Sequence, residues 1–263
     1  MIRIGTAGIP LSCKGGNTSE GIKCVKELGL SAMEIEFVRN IYLNEKKAQE
    51  VGEYAQNLGI LLSCHAPYYI NLASQDCEVQ EKSKYYVDRT LNIADALKAS
   101  VAVFHPGYYS KRTPEEAYRM ISDSLKLFNP KTRIGVETTG KQKQFGTLDE
   151  MIMLAQGHER VVPVIDFGHV HARGGGCIKT KDDFLRILNK VDALGKNPIH
   201  CHLSCVRFSN GNEREHIPLS EKQPDFRLLA EVVKENGFDL TIISESPLIE
   251  HDALLFKGWI EEK

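Results

Sequence analysis

The sequence predicts a (β/α)8 TIM barrel with a metal site at the C-terminal ends of its strands. Three observations lead there. Strand-like apolar runs alternate with helical patterns along the whole chain. Eight of each can be drawn, with no linker or low-complexity segment between them, and strict alternation implies a parallel sheet. Six of the runs finish on His, Asp or Glu, the side chains that bind zinc or manganese. With 263 residues, a single closed barrel spanning 1–263 is the natural solution. A doubly wound open sheet is the runner-up, but no GxGxxG follows the first strand.

The first strand is expected at 2–6, followed by a helix over 18–28. Met1 runs straight into that strand without a signal-like segment, so a soluble, cytoplasmic protein is expected. The second strand, 32–36, ends at Glu36, and helix 44–58 stops at Leu58-Gly59. Strand 60–65 ends in Cys64-His65-Ala66-Pro67 and leads to helix 79–98. Strand 101–105 ends in Phe104-His105-Pro106-Gly107, where the Pro-Gly breaks the chain. Thr113-Pro114-Glu115-Glu116 then opens helix 114–127, a cap residue followed by acids in the first turn. Strand 133–137 ends on Glu137, and Thr147 caps helix 147–156 in the same manner. Strand 161–166 ends on Asp166, followed by helix 181–194. Strand 198–203 contains His200 and His202, and helix 225–236 stops at Asn236-Gly237. Strand 240–245 ends on Glu245 ahead of helix 249–260.

Composition narrows the function. The net charge of −2 gives no global nucleic-acid signal, although a local basic face is compatible with it. No apolar run approaches the roughly 18 residues a membrane span needs. The seven cysteines form no CxxC pair, so reduced thiols are expected. Strand alternation turns Cys64 and Cys201 away from the neighbouring His65 and His202, making them small buried apolar residues.

In a barrel, catalytic groups sit where the strands end, and the six ligand-type residues fall there. They are His65, His105, Glu137, Asp166, His202 and Glu245. Asp166-Phe167-Gly168-His169 adds a second donor past its strand, and His216 lies in the long segment after strand seven. Buried carboxylates at apolar strand ends are expensive, and these strands hold few Lys or Arg to offset them, so a cation cluster is the cheaper explanation. Period-two alternation points both His200 and His202 inward. Only the one nearer the strand end reaches the rim, so His202 is the expected ligand. His158, His171 and His251 read as surface or loop residues. Glu36 also points at the rim, with Arg39 as its alternative partner.

In order, His65-Ala66-Pro67-Tyr68-Tyr69-Ile70-Asn71-Leu72-Ala73, Phe104-His105-Pro106-Gly107, Val136-Glu137-Thr138-Thr139, Asp166-Phe167-Gly168-His169, His202-Leu203-Ser204 and Ser244-Glu245-Ser246-Pro247 resemble the zinc-ligand series of the endonuclease IV family. The resemblance implies a (β/α)8 barrel that binds three zinc ions and cleaves double-stranded DNA 5′ to an abasic site. It implies that His65, His105 and Glu137 hold one ion. Glu137 would bridge to a second ion held by Asp166, His202 and Glu245, and His169 with His216 would hold a third. Glu137 and Glu245 would be catalytic, two or three Zn2+ ions (Mn2+ as the alternative) the cofactors, and no membrane or protein partner is implied. Tyr68 matches a tyrosine on the family's DNA-facing loop. Arg39, Lys111, Arg112 and Arg207 belong to a set of basic loop residues, with Lys14, Lys141, Lys143, Arg173 and Arg214, that would contact phosphates. The Gly15-Gly16 and Gly174-Gly175-Gly176 clusters would admit a substrate or simply make turns.

One departure stands out. The family holds its third zinc with Asp-x-His, but the residue two before His216 is Arg214. Glu213 or Glu215 would have to substitute through a shift of the loop; otherwise the third ion is weak or absent. The rival is a sugar isomerase or epimerase of the xylose isomerase-like superfamily. It would use Glu137, Asp166, His202 and Glu245 around one divalent ion, with Glu137 and Glu245 as the proton-transfer pair. His65, His105 and His216 discriminate, because a single-ion site has less use for them.

Overall fold

The structure is a computed structural model that describes residues 1–14 and 16–262; Gly15 of the Gly15-Gly16 pair lies outside the described residues. Its strands are β1 (Ile2–Ala7), β2 (Ala32–Glu36), β3 (Leu61–His65), β4 (Val101–Phe104), β5 (Arg133–Glu137), β6 (Val161–Asp166), β7 (Ile199–Leu203), β8 (Cys205–Ser209), β9 (Asn212–Ile217) and β10 (Leu240–Ser244). Its α-helices are α1 (Thr18–Glu27), α2 (Glu45–Leu58), α3 (Cys77–Ala96), α4 (Pro114–Leu125), α5 (Leu148–Gly157), α6 (Phe167–Arg173), α7 (Lys181–Asp192), α8 (Phe226–Asn236) and α9 (Glu250–Glu261). Eight strands close into a barrel in the order β1-β10-β7-β6-β5-β4-β3-β2, and β8 and β9 form a separate two-stranded sheet. No helix among the described residues is long and apolar enough to cross a membrane.

The described residues group into two compact units. One comprises residues 34–139 and 143–164. In it β3 pairs in parallel with β4, and β4 with β5. Val101, Val103, Val162 and Val164 form a buried cluster there, as β-branched residues do on a pleated surface covered on both sides. Helices α4 and α5 start with capping boxes, Thr113 with Glu116 and Thr147 with Glu150. Helix α3 starts two residues before the expected position, because the Asp76 side chain accepts from the amides of Glu78 and Val79.

The other unit comprises residues 1–33, 140–142 and 165–263. Strand β10 pairs in parallel with both β1 and β7. Helix α6 and strands β8 and β9 were not expected from the sequence. Helix α6 begins immediately after β6, with the Asp166 carboxylate as its cap. Strands β8 and β9 form an antiparallel hairpin inside the segment read as a loop. Burial also corrects His171, which is 4 % exposed rather than a surface residue. Its Nδ1 accepts from the Ile178 amide, and its Nε2 faces Gln223 Oε1.

The expectation of reduced thiols is corrected at one pair. Cys13 and Cys24 form a disulfide, because the turn after β1, closed by Cys13 N–H donating to Pro10 O, folds back onto α1. Cys64 and Cys201 are free and buried as expected, and burial pushes the Cys201 thiol up to about 12.

The first turn of α9 anchors the loops at the strand ends of this unit. The Glu250 carboxylate accepts from the amides of Leu11 and Ser12 at 2.8 and 2.7 Å. Asp252 accepts from the Leu219 amide at 2.9 Å and from the Ser246 hydroxyl. Burial opposes ionisation of Glu250, but the Leu11 and Ser12 amides override it and hold the carboxyl below its ordinary value. A depressed carboxyl contributes stability above its unfolded-state value, here about 4.5, and loses it as pH falls through the folded value. Glu250→Gln is therefore expected to lower the unfolding free energy by about 1–3 kcal/mol at neutral pH. In denaturant titrations the gap from the parent chain should close as the solution is acidified below that range. A gap of the same size throughout would contradict this account.

Candidate metal centre

In the unit of residues 34–139 and 143–164, adjacent parallel strands bring three donors to one place. His65 ends β3, His105 follows the last residue of β4, and Glu137 ends β5. Glu137 is fully buried. Its Oε2 lies 2.8 Å from His65 Nε2 and 3.4 Å from His105 Nε2. His65 Nδ1 donates to the Ala66 carbonyl at 2.8 Å, which fixes the ring with Nε2 toward the carboxylate. Burial alone would lower the His65 pKa. The hydrogen bond and charge of Glu137, with the charges of Glu36 and Glu34, override that and push it up to about 10.

The loops behind these residues are tied together. The Asn71 side chain accepts from the Tyr108 amide at 3.0 Å and donates to Ser110 Oγ at 3.1 Å. The Leu72 amide donates to the Pro106 carbonyl at 2.9 Å. Gly107 makes this possible, since a Cβ there would stand 2.4 Å from Asn71 Oδ1. Asn71 was visible in the motif after His65, but a residue whose partners lie 37 and 39 positions away carries no local signal of its role.

In the unit of residues 1–33, 140–142 and 165–263, the remaining donors come from β6, α6, β7, β9 and the residue after β10. Asp166 is fully buried, and its Oδ1 accepts from the His169 amide at 2.6 Å. This cap starts α6 and fixes the His169 backbone at its first turn. His202 Nδ1 lies 3.3 Å from Glu245 Oε1, and Asp166, His202 and Glu245 each offer a donor atom within 4.8 Å of the others. His200 and His202 lie two residues apart with ring centroids 5.5 Å apart, consistent with the alternation read from the sequence. His169 Nε2 and His216 Nε2 are 3.3 Å apart. His216 Nδ1 donates to the Glu245 carbonyl at 3.1 Å, leaving Nε2 to face His169.

The structure separates the two acids before His216. Glu215 is paired with Arg207, with more than half of each side chain exposed. Glu213 instead lies 3.4 Å from His169 Nε2 and 3.8 Å from His216 Nε2.

The candidate DNA contacts are distributed as follows. Tyr68 is 61 % exposed, with its ring edge-on to Tyr69. Arg39 and Lys111 are exposed. Arg112 is half-buried and donates to the Ala73 and Ser74 carbonyls, so its guanidinium is partly committed to the fold. Arg207 is exposed and engaged by Glu215.

Imidazoles and carboxylates at these separations suit a small divalent cation of the zinc or manganese type. Buried carboxylates facing histidine nitrogens are otherwise costly to keep ionised.

Comparison with known proteins places this geometry in context. Residues 22–258 match the family described as xylose isomerase-like TIM barrel. An uncharacterized protein of Methanocaldococcus jannaschii is 37% identical, covering 97% of this chain and 95% of that one. A probable endonuclease 4 of the Aster yellows witches'-broom phytoplasma is 31% identical, covering 78% of this chain and 75% of that one. Among solved structures, endonuclease IV of Thermus thermophilus superposes with a TM-score of 0.76 at 22% identity, covering 98% of this chain and 100% of that one. A D-tagatose 3-epimerase-like protein superposes with a TM-score of 0.72 at 21% identity, covering 96% and 94%. Both likenesses establish the fold.

The Glu137 contact pushes the His65 pKa up to about 10, so an ion that took His65 as a ligand would displace a proton. Zinc added to chelator-treated protein at pH 7 is expected to release protons, and affinity should weaken as pH falls. Calorimetric titration in buffers of different ionisation enthalpy measures this. Zinc uptake with no buffer dependence of the heat would contradict it.

Proposed function

The chain belongs to the endonuclease IV family of xylose isomerase-like TIM barrels, and from that premise we propose that it is a metal-dependent endonuclease. Its substrate is double-stranded DNA with an abasic site, and it hydrolyses the phosphodiester on the 5′ side. The observation that carries this reading is the pair of histidines, His65 and His105, converging on Glu137. A single-ion sugar epimerase would use Glu137, Asp166, His202 and Glu245 and has little use for that pair.

In this reading His65, His105 and Glu137 hold one zinc ion. Asp166, His202 and Glu245 hold a second, and His169 with His216 holds a third. Bound ions supply Lewis-acid stabilisation of a phosphate and a water activated at neutral pH. The chain's own groups do the rest. The Ala66 and Glu245 carbonyls orient the rings of His65 and His216. The Asp166 cap fixes His169. Arg39 and Lys111 bind backbone phosphates, which position the duplex without reading its sequence. Tyr68, exposed on the loop after β3, packs against the gap left by the missing base.

A duplex oligonucleotide with one abasic site tests the proposal. Chelator-sensitive incision on the 5′ side is expected from the zinc-loaded protein. It should be lost by a factor of about 100 or more in Glu137→Gln and His105→Ala, since each would remove a ligand of an ion that stabilises charge in the transition state. No incision, with one tightly bound ion per chain and turnover of a ketose, would replace the nuclease with a sugar enzyme. Tyr68→Ala is expected to weaken binding to the abasic duplex, measured by fluorescence anisotropy, by about 1–3 kcal/mol, the range of an aromatic–base contact. Equal loss on an undamaged duplex would remove Tyr68 from lesion recognition.

A further inference from the structure

Glu213 lies three residues before His216, outside the Asp-x-His spacing, yet its carboxylate faces both histidines of that site. His169 Nε2 to His216 Nε2 is 3.3 Å, His169 Nε2 to Glu213 Oε2 is 3.4 Å, and His216 Nε2 to Glu213 Oε1 is 3.8 Å. Nitrogen and oxygen ligands about 2.0–2.2 Å from a tetrahedral zinc stand about 3.3–3.6 Å from one another. The two imidazole nitrogens stand at that separation, and the Glu213 carboxylate faces them with one oxygen each.

Two local features deliver the carboxylate there. The first is a bulge. The register of the hairpin runs Val206↔His216 and Arg207↔Glu215, then shifts to Phe208↔Glu213. Arg214 is the extra residue, as a β-bulge requires. In an unbroken strand Arg214 would share a face with His216. The bulge puts Glu213 there instead and leaves Glu215 opposite Arg207.

The second is the absence of a side chain at Gly140. The Glu213 amide donates to the Gly140 carbonyl at 2.8 Å, drawing the two backbones together. A Cβ on Gly140 would stand 2.6 Å from Glu213 Cβ, 2.7 Å from Glu213 Oε2 and 3.0 Å from His169 Cδ2. Any larger residue would push the carboxylate or the imidazole aside. Asn212 Oδ1, which accepts from the Gln142 amide at 3.0 Å, holds the same seam.

We propose that Glu213 is the carboxylate ligand of a divalent cation bound with His169 and His216, and that Gly140 is a positioning residue that keeps the space for it. The inference rests on the metal-dependent reading of this site, but its test does not depend on nuclease activity. The full chain is stripped with chelator and titrated with Zn2+, and bound ions are counted by elemental mass spectrometry. Co2+ gives a second readout through its visible absorption.

Glu213→Gln is expected to lose one ion per chain, or to weaken one binding step by at least about tenfold, while the other steps persist. Gly140→Ala should weaken the same step with Glu213 intact. Glu215→Gln should leave every step unchanged. Circular dichroism checks that each variant folds, and if Glu213→Gln does not, Gly140→Ala carries the test. Zinc counts, affinities and cobalt spectra identical to the parent in both Glu213→Gln and Gly140→Ala would overturn the proposal. A parent chain with no binding step sensitive to either substitution would do the same. An ion lost in Glu213→Gln from a protein that never incises abasic DNA would keep this ligand and reject the nuclease. Incision by a protein whose metal content ignores Glu213 would do the reverse.

Discussion

Two carboxylates, one in each unit, are fully buried at the ends of apolar strands, and each organises the candidate ligands of its own unit. Glu137 and Asp166 have no exposed surface. Removing a carboxylate from water costs several kcal/mol even after relaxation, unless a cation or hydrogen bonds compensate. Glu137 meets this with two imidazoles, and Asp166 with the amide that begins α6. When no metal is bound, the proton retained by His65 up to about pH 10 is itself the compensating cation. An ion that took His65 as a ligand would compete with that proton for the same lone pair. The valines behind Glu137 keep water out and so keep this competition strong.

Strands set where the donors start, but loops set where they point. A β-strand end fixes a Cα to within a fraction of an ångström, whereas a donor two or more residues further on depends on what holds its loop. In one unit Asn71 binds the loops after β3 and β4 to each other. In the other, Glu250 and Asp252 reach from the first turn of α9 to the loop after β1, the segment after β9 and Ser246, the residue following Glu245. None of these residues is a candidate ligand. All are polar groups whose hydrogen bonds limit how far a neighbouring ligand can move, and second-layer contacts of this kind are as necessary to a metal site as the ligands themselves.

Legibility in the sequence followed the range of the interaction. The alternating strands and helices could be read because hydrophobic period is a local property. The strand-end donors could be read because they share positions with a strong local signal, and His202 was preferred to His200 because, with both on the inward face, it lies nearer the strand end. Helix α6 was missed because its seven residues follow Asp166 without a loop, so its cap was already counted as a ligand. Strands β8 and β9 were missed because Asn212–Ile217 reads NEREHI, a mostly polar run with no buried face along most of its length. Its pairing comes from the partner strand, not from its own pattern. The Cys13–Cys24 disulfide was missed because an odd number of cysteines says nothing about one pair that a turn brings together. His171 was misplaced because its burial depends on Gln223 and Phe208, from elements that had not been foreseen.

The fold alone does not choose a chemistry, since one barrel carries many. What remains informative is structure that a simpler reaction would not need. One divalent ion needs only about four donors. The chain nevertheless holds two further histidines against Glu137. It also extends a hairpin after β7 that puts His216 beside His169. Imidazoles held this closely, with the His65 and His216 rings oriented by backbone carbonyls, lose solvation and side-chain freedom on folding. In the multi-ion reading proposed above, the cations would offset that cost. In that reading, several ions would stabilise the negative charge that develops on the phosphodiester oxygens during hydrolysis.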